Sequence, residues 1–153
     1  MVNMGQSLHD PPNVSGMPAY YQEPLFHEIW INSDSLPKRN QFTDTMINTG
    51  YSQNSIRVQF NCVEFVKTLS NPGNPNDLID EALSIFFRND LSLQTKGQLK
   101  TQILLSGQQW DYYWTNAWTA YEASPTVANF NTVNTRLKAL FQYFFNLSEY
   151  QLS

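Results

Sequence analysis

Two short segments of the chain place a histidine directly before a carboxylate. His9 precedes Asp10 and His27 precedes Glu28, and the sequence contains only these two histidines. Imidazole nitrogens and carboxylate oxygens bind zinc, so a chain that brought the histidines together would offer three metal ligands. Neighbouring side chains do not converge without help from a loop, and hydrogen bonding of each histidine to loop backbone is the favoured interpretation. We therefore expect no metal site and no cofactor.

Three carboxylates, Asp77, Asp80 and Glu81, lie close enough in sequence to suggest a pair of catalytic acids. They follow Asn74 and Pro75, which predict the start of a helix. Acidic side chains in the first turns of a helix interact favourably with the positive end of its dipole. Stabilisation of the helix is the preferred interpretation, and we assign these acids no catalytic role.

Cys62 is the only cysteine, so the chain forms no internal disulfide and no cysteine-based zinc site. A nucleophilic cysteine needs a neighbouring base and an exposed, electropositive setting. Cys62 instead shares a helical stripe with Phe65, Val66 and Leu69, which predicts a buried side chain. The serines fit no nucleophile-elbow or Ser-x-x-Lys motif, and no glycine-rich phosphate loop occurs. The sequence therefore indicates no catalytic residues.

The segment WDYYWTNAWTAY, from Trp110 to Tyr121, is the strongest functional feature of the sequence. Its aromatic rings suit stacking on sugars or contact with a protein partner. Trp114, Trp118 and Tyr121 recur at helical spacing, which predicts that one helix buries all three; the opposite orientation, facing a partner, stays open. The candidate ligand or partner surface therefore comprises aromatic residues outside this stripe: Tyr20, Tyr21, Trp30, Trp110 and Tyr112.

The run from Pro125 to Asn146 organises the predicted core. Its apolar residues recur three and four positions apart, as on one face of a helix. They are Val127, Phe130, Val133, Leu137, Leu140, Phe141 and Phe144. Ser124 is placed as the N-cap and Pro125 at the first helical position, where its missing donor costs little. The sequence predicts one continuous helix that buries Phe130, Leu137 and Phe141.

Turn residues and helical stripes divide the rest of the chain. Residues 1–32 are mostly loop because of their prolines, whereas residues 33–153 are predicted to be helical. The first helix, capped by Ser33 or Ser35, stops by Gly50, and residues 51–55 form a connector. Further helix starts are assigned at Asn61, Asn74, Thr95, Trp110 and Ser148. We predict one all-α domain of about five to six helices, packed as an irregular bundle with Pro- and Gly-rich loops and an aromatic N-terminal loop.

Composition narrows the possible partners. The chain has 153 residues, of which 41% are hydrophobic and only 14% charged, and its formal net charge is -4. Nine lysines and arginines without a cluster do not make the basic stripe that nucleic acid requires. No stretch reaches the roughly 18 apolar residues of a membrane span, and the first residues lack the pattern of a signal peptide. We expect neither a nucleic-acid partner nor a membrane span.

Separate motifs, taken in order, resemble a bacterial protein family. They are MGQSLHDPPNVSGMP, WINSDSLPKRNQF, YYWTNAWTAY and RLKALFQYFFNLSEYQLS. Their order and spacing are similar to those of the domain-of-unknown-function 1800 family, over essentially all 153 residues. The resemblance covers the C-terminal portion of that family's longer region, which implies a fragment of a longer protein. Met17 replaces the family's usual tryptophan, and the segment before Trp30 resembles a Bacteroidetes-type subgroup.

The resemblance implies no reaction, cofactor or catalytic set, because none is established for the family. It implies an exported protein of the periplasm or cell surface, since full-length members commonly carry export signals. We expect a non-catalytic binding or assembly segment; the alternative is the C-terminal part of an enzyme whose active site the missing N-terminal region completes. That region is the first expected partner, followed by self-association through apolar surface that it would otherwise cover. A glycan is the other ligand class that the aromatic residues suggest.

Overall fold

The structure, a computed structural model, describes residues 33–151. Within this range the chain is mainly α-helical and carries one two-stranded sheet. Seven α-helices and a π-helical segment occur among these residues, which is more than the sequence predicted. The mainly helical class is confirmed, but the strands show that the all-α prediction was too strict.

The first helix, α1, spans Ser35–Asn48 and ends where the sequence predicted, at a left-handed glycine. Gly50 has a φ of +78°, a conformation that glycine adopts without steric cost. A Cβ atom there would lie 2.9 Å from the carbonyl oxygen of Val58. The start of α1 differs from the prediction, because Asp34 rather than a neighbouring serine occupies the cap position. Its carboxylate accepts a 2.7 Å hydrogen bond from Lys38.

A β-hairpin follows α1, where the sequence predicted a connector. Strand β1 spans Tyr51–Gln53 and pairs antiparallel with β2, Ile56–Val58. Asn54 and Ser55 have φ values of 50° and 64°, as a type I′ turn between twisted strands requires. Strands of three residues show no readable alternation, and Asn-Ser lacks the glycine of the usual hairpin signal. No sequence pattern therefore predicted the hairpin.

The next two helices begin at the predicted caps. Helix α2 spans Cys62–Val66, and the side chain of Asn61 accepts a hydrogen bond from a backbone amide in its first turn. Helix α3 spans Pro75–Phe86, and the side chain of Asn74 accepts a 2.9 Å hydrogen bond from the amide of Asn76. Asparagine at the cap satisfies donors that the helix leaves unpaired. Both starts are therefore confirmed.

Helix α4 spans Leu93–Gln98 and begins one turn earlier than predicted. The hydroxyl of Ser92 accepts a 3.1 Å hydrogen bond from the amide of Thr95. The predicted cap at Thr95 is wrong, because Thr95 already lies inside the helix as the residue that Ser92 caps.

A π-helical segment, Leu99–Leu104, continues directly from α4. Its wider turn is visible where the amide of Leu105 donates to the carbonyl of Lys100 at 2.8 Å, five residues back in the chain. The side chains of Leu99 and Leu104, also five apart, are both buried. The segment closes at Gly107, as predicted, with a φ of +84°.

Three helices complete the described chain. Helix α5 spans Tyr112–Ala123, α6 spans Val127–Asn146 and α7 spans Ser148–Gln151. Helix α6 begins two residues later than the predicted Pro125. The hydroxyl of Thr126 accepts a hydrogen bond from an amide of the first turn, so Thr126 is the cap and Pro125 lies outside the helix.

Helix α6 lies against α1, α2, α5, α7 and the π-helical segment. Its buried side chains are Val133, Leu137, Leu140, Phe141, Phe144 and Phe145. Leu137 and Phe141 are fully buried as predicted, whereas Phe130 is only partly buried. Val127 is 77% exposed, so its predicted place on the inner face is wrong. The first turn of α6 projects beyond the core.

Aromatic rings from three parts of the chain meet at Phe141. The ring centroids of Phe60, Phe65 and Phe86 lie 5.2, 5.5 and 5.9 Å from that of Phe141, at steep angles. Edge-to-face contacts of this kind place the positive ring edge on the negative ring face. They hold α2, α3 and α6 together in one core.

Candidate functional site

A cleft opens between α3 and the chain segment formed by α4 and the π helix. Its volume is about 290 Å³. The residues that line it, called the α3–α4 cleft below, are Asn76, Ile79, Asp80, Leu93, Lys96, Gly97 and Lys100. Gly97 contributes no side chain, and a Cβ atom there would meet no atom within 4 Å. The cleft is therefore open above Gly97.

Two ion pairs hold the lysines of the α3–α4 cleft. Lys96 Nζ lies 2.8 Å from Asp80 Oδ1, and Lys100 Nζ lies 3.1 Å from Asp111 Oδ1. The lysine side chains are only 24% and 23% exposed, far less than a lysine extended into solvent. The hydrogen bond to Asp80 raises the pKa of Lys96 above its usual value, against a smaller opposing effect of burial. Lys96 is therefore held as a cation beside Asp80, and Lys100 is held in place beside Asp111.

Asp111 joins this cleft to the aromatic segment. It occupies the cap position of α5, yet its side chain makes no cap hydrogen bond. Its Oδ1 faces Lys100, and its Oδ2 accepts a 2.9 Å hydrogen bond from Asn76. Both carboxylate oxygens therefore contact residues that line the cleft. Trp110 directly precedes Asp111 in the chain, and its side chain is exposed.

The aromatic side chains at the start of α5 form an exposed surface. This aromatic platform consists of Trp110, Tyr112 and Tyr113, whose side chains are 64%, 51% and 36% exposed. The two tyrosine rings stack with their centroids 4.4 Å apart. A side-chain hydrogen bond with Tyr113 raises the pKa of the Tyr112 hydroxyl. Three large rings are thus exposed within four consecutive positions of the chain.

The remaining rings of the same segment are buried, as the sequence predicted. Trp114, Trp118 and Tyr121 lie in the core, and the ring of Tyr121 contacts that of Phe130 at 6.1 Å. The indole of Trp114 also donates a 2.8 Å hydrogen bond to the carbonyl of Pro72, a contact that the sequence did not indicate. These contacts fix α5 and therefore fix the platform that it carries.

Comparison with protein families matches residues 1–152 to the family described as protein of unknown function (DUF1800). The chain belongs to the DUF1800 family. Comparisons with curated proteins and with solved structures found no match. The family resemblance inferred from the sequence motifs is thereby confirmed. Since the family description names no reaction and no ligand, function must be argued from the geometry of the site.

The structure of this DUF1800 chain gives two of the acids in α3 a structural environment. Glu81 accepts hydrogen bonds from the amide and hydroxyl of Ser70 at 2.8 and 3.1 Å. Asp77 accepts a 2.6 Å hydrogen bond from the side-chain amide of Asn71. These two carboxylates fasten the loop that precedes α3, whereas Asp80 belongs to the cleft.

Cys62 is buried in this DUF1800 chain, as its helical stripe predicted. Burial raises the pKa of the thiol from 9.0 to about 11, against smaller opposing effects of Lys138 and a backbone hydrogen bond. A thiol with so high a pKa carries almost no thiolate near neutral pH and is a poor nucleophile. Cys62 therefore acts as a small apolar side chain.

Several candidate residues lie outside the described residues. They are the histidines His9 and His27 and the aromatic residues Tyr20, Tyr21 and Trp30. Their predicted roles stay predictions. Within residues 33–151, no group of three or more His, Cys, Asp or Glu side chains is arranged to hold a metal ion. In the same part of the chain, no helix is both long and apolar enough to cross a membrane.

The structure places the predicted candidates Trp110 and Tyr112 at the surface, but the sequence did not indicate the α3–α4 cleft. The ion pair between Asp80 and Lys96 spans 16 residues, and the hydrogen bond between Asn76 and Asp111 spans 35. Neither separation follows a helical or strand period, so no local pattern marks these residues as neighbours. The only available signal was Trp110, an aromatic residue off the buried stripe.

Proposed function

We propose that this DUF1800 chain is a non-catalytic binding segment that contacts its ligand through the aromatic platform. One observation carries the proposal: Trp110 and Tyr112 face solvent, while Trp114 and Trp118 of the same segment are buried. Tryptophan and tyrosine combine a large apolar face with a polar group, which suits them to binding surfaces. A single segment thus divides its rings between the core and the exterior.

Rigidity of the platform supports the same proposal. Trp114 is anchored to Pro72 by its indole, and the hydroxyl of Thr115 donates a 2.8 Å hydrogen bond to the carbonyl of Gly73. A surface that is already ordered loses less conformational entropy when a ligand binds. The buried half of the segment therefore prepares the exposed half for contact.

The proposal places this activity in an exported bacterial protein, at the periplasm or cell surface. It takes the chain as the C-terminal portion of the longer family region, in a Bacteroidetes-type subgroup, as the sequence motifs suggest. Assembly is part of the same proposal, through the missing N-terminal region or through self-association. Ile56 and Val58, which are 67% and 55% exposed on β2, supply apolar surface for such contacts.

Retention on bacterial envelope particles tests the binding function. Purified chain is mixed with envelope fragments of a Bacteroidetes-type bacterium, and the pelleted fraction is measured across protein concentrations. The double variant Trp110→Ala and Tyr112→Ala should bind about tenfold or more weakly, since losing two aromatic contacts removes at least about 1.4 kcal/mol.

Tyr143→Ala is the matched control, because Tyr143 is an aromatic residue of a different helix, α6, and is 43% exposed. The control should pellet like the unaltered chain. Equal retention of the platform variant and the unaltered chain would show that the platform binds nothing on the envelope.

A further inference from the structure

We propose that the α3–α4 cleft binds one uncharged sugar ring of a glycan, with Trp110 stacked against the apolar face of the bound chain. This inference rests on the proposed binding function and names its ligand class. The cleft adjoins the platform through Asp111, whose carboxylate contacts Lys100 and Asn76. Trp110 and Tyr112 are the chain neighbours of Asp111, so the platform begins one residue from a side chain that contacts the cleft.

Charge balance in the cleft favours an uncharged ligand. The ammonium groups of Lys96 and Lys100 are matched by the carboxylates of Asp80 and Asp111, so the paired charges sum to zero. A phosphate or carboxylate ligand would meet two acidic groups beside the lysines. A cationic ligand would meet the two lysines. Neither sign of charge is favoured, which separates this cleft from an anion site.

The pairing of donors with acceptors matches the chemistry of hydroxyl groups. A hydroxyl donates one hydrogen bond and accepts others at the same oxygen. Lys96 Nζ and Asp80 Oδ1 lie 2.8 Å apart, so one hydroxyl placed beside the pair accepts from the ammonium and donates to the carboxylate. Lys100 and Asp111 repeat this arrangement at 3.1 Å. Adjacent hydroxyls of a sugar can thus satisfy both pairs.

The donors and acceptors are held in place before a ligand arrives. Each lysine side chain is about three-quarters buried and bound to a carboxylate, so it has little rotational freedom left to lose. Lys100 also belongs to the π-helical segment, a rare conformation that is frequent at functional sites. Hydrogen bonds with charged partners are stronger than those between neutral groups.

The size and lining of the cleft suit one ring. Its volume of about 290 Å³ lies just below the roughly 300–1,000 Å³ of small-molecule sites, which suits a ligand as small as one ring. The open position above Gly97 leaves room for the ring, and Ile79 contributes a buried apolar side chain to the lining. Further rings of a glycan would extend across the exposed indole of Trp110.

Nuclear magnetic resonance titration of the full chain tests this inference. The probes are methyl β-glucoside, methyl α-mannoside and N-acetylglucosamine, with glucuronate as the anionic comparison. At least one uncharged probe should shift the amide resonances of Gly97 and Lys100 and the indole resonance of Trp110. Glucuronate should bind no more tightly than its uncharged counterpart.

Two site variants, each paired with a control, separate loss of the site from loss of the fold. Gly97→Leu fills the cleft with a side chain whose Cβ meets no neighbour, so the fold should persist while sugar affinity falls about tenfold or more. Gln98→Leu makes a similar change at an exposed neighbouring position of α4 and should leave affinity unchanged. Lys100→Met should weaken binding like Gly97→Leu, whereas Lys38→Met in α1 should not.

The inference is overturned if no uncharged sugar shifts the cleft resonances, or if Gly97→Leu and Lys100→Met bind sugar like the unaltered chain. Binding of glucuronate alone would overturn the charge argument and the inference with it. Platform-dependent retention on envelope particles without sugar binding would leave the proposed function standing and remove only the sugar site. Sugar-induced shifts of the cleft resonances that are lost in Gly97→Leu and Lys100→Met would support the sugar site.

Discussion

Cys62 shows how burial decides the behaviour of a reactive side chain. Its side chain is 1% exposed, and the loss of hydration raises the thiol pKa from 9.0 to about 11. Burial destabilises the charged thiolate more than the neutral thiol. The folded chain therefore holds the thiol proton more tightly than the unfolded chain does. This difference makes the stability of the fold depend on alkaline pH.

We expect the free energy of unfolding to fall as pH rises from about 9 to about 11. The contribution of the Cys62 thiol to the free energy of unfolding is fully present below the unfolded pKa of 9.0. It is lost as pH rises through the folded pKa of about 11. The full loss is about 2–3 kcal/mol, since each pKa unit corresponds to about 1.4 kcal/mol. Urea unfolding under reducing conditions, repeated across this pH range, measures how the free energy of unfolding changes with pH.

Cys62→Ala supplies the comparison, because lysines and tyrosines titrate in the same range in both proteins. The variant should show a shallower alkaline loss than the unaltered chain by about the same 2–3 kcal/mol. Parallel curves for the two proteins would mean that the thiol ionises as easily in the folded chain as in the unfolded one.

At the scale of the element, capping explains where the central helix begins. The sequence placed the cap of α6 at Ser124, whereas the structure places it at Thr126, whose hydroxyl accepts a hydrogen bond from the amide of Asn129 at 3.3 Å. We expect Thr126→Ala to lower the free energy of unfolding by about 0.5–2 kcal/mol, because the amide loses its partner. Ser124→Ala should change it by no more than about 0.5 kcal/mol. Chemical denaturation of both variants measures these changes. A larger loss of stability for Ser124→Ala than for Thr126→Ala would show that Ser124 is the cap and that α6 begins earlier.

Other elements differ in how well they could be predicted from the sequence. The start of α3 was predictable because Asn74 and Pro75 act within the first turn, through contacts between near neighbours. The π-helical segment was not, because its wider turn depends on burying Leu99 and Leu104 against distant elements. Tertiary packing, rather than local propensity, selects that geometry.

The whole molecule depends on the face that α6 buries. Leu137 is fully buried, whereas Val127 of the same helix is 77% exposed. Leu137→Ala should lower the free energy of unfolding by about 2–5 kcal/mol, because it leaves a cavity where the surrounding helices meet. Val127→Ala should cost no more than about 0.5 kcal/mol. Urea denaturation measures both, and a loss below about 1 kcal/mol at Leu137 would show that the buried face lies elsewhere.

The candidate site belongs to the whole molecule for the same reason that the sequence did not reveal it. The exposure of Trp110 and Tyr112 could be predicted from the sequence because both residues lie off the helical stripe that carries the buried rings. The partners of Asp111 could not, because Asn76 and Lys100 reach it only after α3, the π-helical segment and α5 have packed. Local patterns thus locate the platform, and only the assembled fold creates the cleft beside it.

The position of α6 along the chain also sets the order of events during synthesis. The ribosome releases the chain from its N-terminal side, so α1 to α5 emerge before the 20-residue helix against which α1, α2 and α5 pack. At roughly 5–20 residues per second, adding α6 alone takes about 1–4 s. During that interval the nascent chain presents apolar side chains to the cytosol, where chaperones that bind unfolded segments can engage it. The core of this chain therefore closes only after α6 has left the ribosome.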